Sequence, residues 1–114
     1  MDVIIHKNEW HWGRKSTIVI EGGKALCAVS VEDDDYSVAY LTGVIVHPDA
    51  RRRGLGNRLL ELAKQRARMM QADRLYLWVY PGVWMQDWYS RHGFKVSHVD
   101  DDGNVNMVCD LWND

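Results

Sequence analysis

The sequence predicts an α/β fold of the α+β kind: a mixed, mostly antiparallel sheet of six to seven strands with two main helices. Three observations predict it. One long amphipathic stretch, residues 55 to about 71, carries Leu55, Leu59, Leu60, Leu62, Ala63, Ala67 and Met70 on one broad face. Glu61, Lys64 and Arg68 lie opposite, as on a helix packed against a sheet. An apolar run at residues 36–46 precedes that helix and another at 75–79 follows it, so the two form a parallel pair joined by a right-handed crossover. The other strand candidates are separated by short turns, which join only antiparallel neighbours. With 114 residues, 46% hydrophobic and 26% charged, the chain can bury one core, and residues 1–114 read as a single domain.

Each element has its own signal. Residues 3–5 form a short first strand. The next dozen residues, 6–15, include Asn8-Glu9-Trp10-His11-Trp12-Gly13 and hold one turn of helix at most. Residues 17–21 and 24–31 are strands joined by Gly22-Gly23, a two-residue hairpin signal. After the acidic turn Glu32-Asp33-Asp34-Asp35 comes the long central strand, in which Gly43 marks a bulge or a close backbone approach. Arg66 falls within the apolar arc of the long helix and must snorkel or pair. Beyond residues 75–79, Pro81-Gly82 opens a second, short helix that runs through Arg91, and Gly93 stands where a C-cap glycine belongs. Trp84 and Trp88, four apart on one face, have the spacing of a packed stripe. Residues 94–98 and 105–111 make a last hairpin around Asp100-Asp101-Asp102-Gly103-Asn104.

The densest chemistry lies where the central strand meets the long helix: Val44-Ile45-Val46-His47-Pro48-Asp49-Ala50-Arg51-Arg52-Arg53-Gly54-Leu55-Gly56-Asn57. The first N–H groups of a helix have no partner within it. Glycines beside them let the backbone approach a ligand closely. The helix dipole and three arginines favour an anion there, and a phosphate is the natural candidate.

This segment resembles the acyl-CoA signature of the GNAT N-acetyltransferase superfamily, Arg/Gln-x-x-Gly-x-Gly/Ala, read here as Arg51-Arg52-Arg53-Gly54-Leu55-Gly56. Trp88-Tyr89-Ser90-Arg91-His92-Gly93-Phe94 is similar to the ending of the family's last helix. The resemblance covers roughly residues 18–112. It implies that the parallel pair splays into a V holding the pantetheine arm, with acetyl-CoA as co-substrate and acetyl transfer directly to an amine. Main-chain groups of Val44, Ile45 and Val46 would pair with pantetheine and the acyl carbonyl. Backbone amides from Arg52 through Asn57, with the side chains of Arg51, Arg52 and Arg53, would hold the pyrophosphate. Tyr89 matches the position that gives a proton to the departing thiolate, and a phenol with an ordinary pKa near ~10 is protonated at neutral pH.

Three departures from the family pattern follow. Relatives often carry a glutamate as base on the central strand, and that position falls here on Thr42, with Glu32, Asp33, Tyr40 or water as substitutes. The turn Tyr80-Pro81-Gly82 lacks the usual asparagine. The helical region after the first strand is shortened, which leaves the acceptor side open to a protein side chain, another large amine or a second subunit. Trp10 and Trp12 either line that side or cover sheet, and six tryptophans make a homodimer interface one of the readings left open. The main rival to catalysis is a non-catalytic acyl-CoA-binding module that regulates a protein partner.

Other classes are disfavoured. A net charge of −2 argues against a nucleic-acid binder, although acidic runs at 32–35 and 100–102 suit a cationic acceptor. No apolar run approaches the ~20 residues that span a bilayer, and the apolar start at residues 1–5 is too short and too quickly followed by charge to read as a secretory signal, so a cytoplasmic location is expected. Cys27 and Cys109 read as buried free thiols, and the five histidines show no metal-ligand spacing, so no metal is expected.

Overall fold

The computed structural model describes residues 2–10, 13–32 and 34–112, with Arg52 described by its backbone alone. His11, Trp12 and Asp33 therefore lie outside the described residues. Seven strands form one sheet: β1 (Val3–Trp10), β2 (Gly13–Ile20), β3 (Ala25–Glu32), β4 (Asp35–Val46), β5 (Arg74–Val79), β6 (Lys95–Val99) and β7 (Val105–Asp110). Their spatial order is β1-β2-β3-β4-β5-β7-β6. Two helices, α1 (Leu55–Met69) and α2 (Met85–Arg91), complete the two-layer fold. The expected α+β class, the strand count and the two helices all hold.

The ladders explain the shape. Every neighbouring pair is antiparallel except β4 and β5. That parallel pairing extends only over Val38↔Arg74, Ala39↔Leu75 and Tyr40↔Tyr76. Beyond it β4 continues to Val46 and β5 to Val79 with no rung between them, so the sheet opens into a V. Gly43, at φ +62°, sits where the β3 pairing steps from Leu26↔Ile45 to Ala28↔Thr42, two residues against three. This is the anticipated bulge, and it bends β4 at the mouth of the V.

The core lies between the sheet and α1. Alternate residues of β3 (Ala25, Cys27, Val29, Val31) and of β2 (Ile18, Ile20) are buried on the helix side. Leu59, Leu60, Ala63 and Ala67 of α1 are fully buried among them. Arg66 pairs rather than snorkels: its Nε–H donates to Oγ of the buried Ser16 at 2.8 Å. Cys27 and Cys109 are free, buried thiols, as read from the sequence.

Two local expectations are corrected. Residues 6–10 and 13–15 are strand, not a turn of helix. All eight residues of β1 are exposed, so no alternation of apolar and polar residues marks it as a strand. Its pairing with β2 from Val3↔Ile20 to Trp10↔Gly13 determines its conformation instead. The loop between β2 and β3 has four residues, not two, because Ile20 pairs with Ala25. Glu21, Gly22 and Gly23 all adopt positive φ there. Among the described residues no α-helix precedes α1, so the shortened N-terminal region is seen as expected. No helix is long and apolar enough to cross a membrane.

Candidate functional site

The strand-to-helix turn is built from local rules. After β4, Pro48–Arg53 forms a short 3-10 turn, with the backbone N–H of Asp49 donating to Nδ1 of His47 at 3.3 Å. Gly54 then adopts φ +74°, ψ 11°, a left-handed conformation that a residue with a side chain enters only at a cost. The chain thereby reverses into α1, whose first N–H groups, at Leu55, Gly56 and Asn57, are the orphan donors of a helix start. A cavity of about 540 Å³ lies against this turn. Its lining includes Val44, Ile45, Val46, Arg51, Gly54, Gly56 and Asn57, so seven of the ten sequence-predicted cofactor-binding residues converge there.

The other three are placed differently. The Arg53 guanidinium is turned away and forks onto the Glu21 carboxylate at 2.9 and 3.0 Å. Leu55 is buried, with 3% exposure, and contributes only its backbone to the turn. The side chain of Arg52 lies outside what the structure describes. Arg51 is thus the described arginine that faces the cavity. Its Nε–H donates to the Val46 carbonyl at 3.2 Å, and its guanidinium lies 5.9 Å from the centre of the Trp84 ring.

Trp84, Met85 and Trp88 of the second helical segment form the opposite wall. Spacing reads the two tryptophans as a packed stripe; their rings do lie 6.3 Å apart, and they also line the candidate binding cavity. The signal that could have shown it is the complementarity between Trp88 and Gly56. A Cβ on Gly56 would stand 3.1 Å from the Trp88 ring and 3.6 Å from Val46, tighter than ordinary contact on one side. Trp88 Nε1–H also donates to Asn57 Oδ1 at 3.4 Å, and His92 Nε2 lies 3.0 Å from the same oxygen. Burial and the Lys64 ammonium hold His92 below its ordinary pKa of 6.5, so at neutral pH its ring is uncharged and can donate here.

Tyr89 is positioned by the way α2 ends. The Phe94 N–H donates to the Tyr89 carbonyl at 3.1 Å and the Gly93 N–H to the Ser90 carbonyl at 3.3 Å, with Gly93 at φ +91°. These are the two bonds of a Schellman motif, and the motif's hydrophobic contact is Phe94 edge-on to Tyr89 at 5.6 Å. The Gly-Phe pair after α2 thus locks the ring of Tyr89, which is 3% exposed. Tyr89 helps line a second cavity, about 380 Å³, inside the V between residues 41–44 of β4 and 77–80 at the end of β5. Its hydroxyl has no hydrogen-bond partner among the described residues, and no fully buried polar side-chain atom there lacks one, so that oxygen reaches accessible space.

Burial pushes the Tyr89 phenol from 10.0 up to about 12, with Cys27 adding to the rise, and pushes the Cys27 thiol from 9.0 up to about 12. In both cases the folded state keeps a proton that the unfolded chain gives up sooner. Their contribution to stability is therefore complete below about pH 9 and is lost as pH rises towards 12. Urea unfolding between pH 8 and 11 is expected to show this fall, and Cys27→Ala is expected to make it shallower above pH 9.

A third cavity, about 580 Å³, adjoins the second and shares Leu41, Thr42, Leu77 and Trp78 with it. It opens on the sheet face away from α1 and also gathers Glu32, Tyr40, Tyr76 and His98. No carboxylate lines the cavity that holds Tyr89. Among the described residues no group of three or more histidine, cysteine or acidic side chains is placed to hold a metal.

Comparison with known proteins agrees with this geometry. The acetyltransferase (GNAT) family model matches residues 4–94. An amino-acid acetyltransferase of Mannheimia succiniciproducens is 30% identical over 86 residues, 75% of this chain and 19% of that protein. The chain therefore spans about a fifth of the length of that relative. Among solved structures, N-acetylglutamate synthase from Neisseria gonorrhoeae, complexed with coenzyme A and N-acetyl-glutamate, superposes with a TM-score of 0.69 at 19% identity, covering 87% of this chain and 26% of that one. The ribosomal-protein-S18-alanine N-acetyltransferase from Escherichia coli gives 0.67 at 20% identity, covering 93% and 74%. Strand, glycine turn, helix and buried tyrosine stand in the expected order within the matched span, and the chain belongs to the acetyltransferase (GNAT) family.

Proposed function

We propose that this chain is an N-acetyltransferase that moves an acetyl group from acetyl-CoA directly to a primary amine. One observation carries the reading: the gap between β4 and β5 runs from the orphan amides of α1 to the buried Tyr89 and out to the open sheet face. The β4 segment at Val44, Ile45 and Val46, which has no rung on its β5 side, offers main-chain groups there to an extended pantetheine arm, much as to an added strand. The α1 amides and Arg51 hold the pyrophosphate. Acetyl-CoA supplies the activated acyl carbon as a thioester.

The chemistry asked of the residues is then simple. The amine nitrogen, neutral at the moment of attack, forms the C–N bond as the C–S bond breaks and its electron pair passes to sulfur. Tyr89 gives its proton to that sulfur, the proton released by the amine leaves to water, and Tyr89 is reprotonated from water. The cleft aligns the reactants and excludes bulk water, which is where most of the rate gain arises. Among the described residues no α-helix precedes α1, so the acceptor side leaves room for large amines.

Calorimetric titration with acetyl-CoA, followed by an assay of thiol release with simple amines, tests the reading. Micromolar binding with amine-dependent release is the expected result. Absence of binding by folded protein overturns it. A second reading, a non-catalytic acyl-CoA-binding module, draws on the lack of any carboxylate around Tyr89, with Thr42 in its place. Binding without release of thiol to any amine selects that alternative.

A further inference from the structure

We propose that the mouth of the cleft accepts an unbranched alkylamine carrying a second positive charge, the class of the diamines, and that Glu32 selects it. The inference rests on the acetyltransferase reading above and names the substrate class of that site.

The cavity on the open sheet face has an uneven chemistry. Tyr40 and Tyr76 stand on the last rung between β4 and β5, with ring centres 6.2 Å apart. Trp78 flanks the gap above them and is itself edge-on to Tyr80 at 5.2 Å. Tyr40 is 44% exposed and Trp78 51%, so both rings are open to contact with a ligand. Ring faces attract ammonium groups, and their carbon skeletons take an alkyl chain.

Charge points the same way. Glu32 lines one end of the cavity, and no lysine or arginine lines it at all. Three other acids of this molecule, Glu21, Asp49 and Asp110, already have cationic partners in Arg53, Lys24 and Arg74. The Glu32 carboxylate has no hydrogen bond or ion pair among the described residues. A cationic acceptor supplies the missing partner. An acceptor bearing a carboxylate would meet Glu32 and find no cation in the lining.

The register sets the length. Ala28 pairs with Thr42 beside the gap, and Glu32 lies four residues further along β3, about 13 Å of strand at ~3.3 Å per residue. The Glu32 carboxylate is therefore too far from the gap to hold the attacking nitrogen. It holds the distal ammonium while the chain lies across Tyr40 and Tyr76 and the neutral proximal amine enters beside Thr42. Glu32 takes part in no bond change and is a positioning residue. The C–N and C–S changes and the proton transfers are those described above.

The test compares 1,8-diaminooctane, whose extended length suits that separation, n-octylamine and L-glutamate as acceptors, by thiol release from acetyl-CoA, in the wild-type protein and in Glu32→Gln. Wild-type kcat/KM is expected to favour the diamine over the monoamine by about fivefold or more, the scale of an exposed ion pair with cation–π support. Glu32→Gln should erase that preference through KM rather than kcat, so that diamine and monoamine react alike. Preference for L-glutamate overturns the inference, as does a diamine preference that survives Glu32→Gln; either leaves the acetyltransferase reading standing. Calorimetry of the diamine on coenzyme A-loaded protein supplies a readout without turnover. Diamine binding weakened by Glu32→Gln supports the subsite even if no amine reacts, and absence of diamine binding to protein that binds coenzyme A overturns it.

Discussion

Tyr89→Phe is expected to lower kcat by about 10²- to 10⁴-fold, the usual span for loss of a positioned general acid, while leaving acetyl-CoA affinity unchanged. The substitution is a clean one. The ring keeps its edge contact with Phe94 and its 5.0 Å contact with Trp88, and the Schellman turn that fixes its backbone uses no side-chain oxygen. The hydroxyl has no partner whose loss would unsatisfy a buried group, so folding stability should move little. Since burial raises the phenol to about 12, wild-type activity should climb with pH as an alkylamine acceptor deprotonates, with an ordinary pKa near ~10.4, and show no falling limb from Tyr89 below that upper value. Steady-state kinetics beside a calorimetric titration separates the outcomes. Unchanged kcat in Tyr89→Phe would remove the proton-donor role and leave water to protonate the thiolate.

Gly56→Glu is expected to weaken acetyl-CoA binding by at least about 100-fold, by combining steric and electrostatic opposition at an anion site. Any side chain at this position begins 3.1 Å from the Trp88 ring and must extend from there past the cavity wall. A carboxylate among the first N–H groups of α1 would occupy the donors that a pyrophosphate needs. The same charge suits a helix N-terminus, worth ~0.3–1 kcal/mol, so the variant should fold. Gly56→Ala separates the two effects, since it adds the crowding without the charge. Calorimetry that found the Glu variant binding as tightly as wild type would move the phosphates elsewhere.

The parts of this fold written in local periodicity were legible in the sequence. The α1 stripe, the β4 and β5 runs on either side of it and the glycine after α2 each announce themselves within a few residues. β1 did not, because a strand exposed on both faces has no alternation and owes its conformation to β2. The candidate site divides in the same way. Its phosphate turn is contiguous, residues 44–57, and could be read directly. Arg53 could not be separated from Arg51 by sequence, since only the folded loop brings Glu21 within reach of one of them. The cavity mouth was invisible as a unit: Glu32, Tyr40, Tyr76 and His98 come from four strands, and register alone assembles them. The walls formed by Trp84 and Trp88 depended on a contact with a glycine some thirty positions earlier.

The three-rung junction between β4 and β5 has a mechanical meaning as well. To one side lie four antiparallel strands laid down in chain order, and to the other the β5-β7-β6 ladder. Between them the backbone is stitched at the rungs of Val38, Ala39 and Tyr40 and by one bond from the Asp73 N–H to the Ser37 carbonyl at 2.7 Å, and further cohesion comes from side chains of the shared core. Widening or narrowing the V is thus a rotation about a short hinge at one end of the gap, and it breaks no ladder hydrogen bond. The stiffness of the cleft is then set by how tightly the core that joins both ladders is packed.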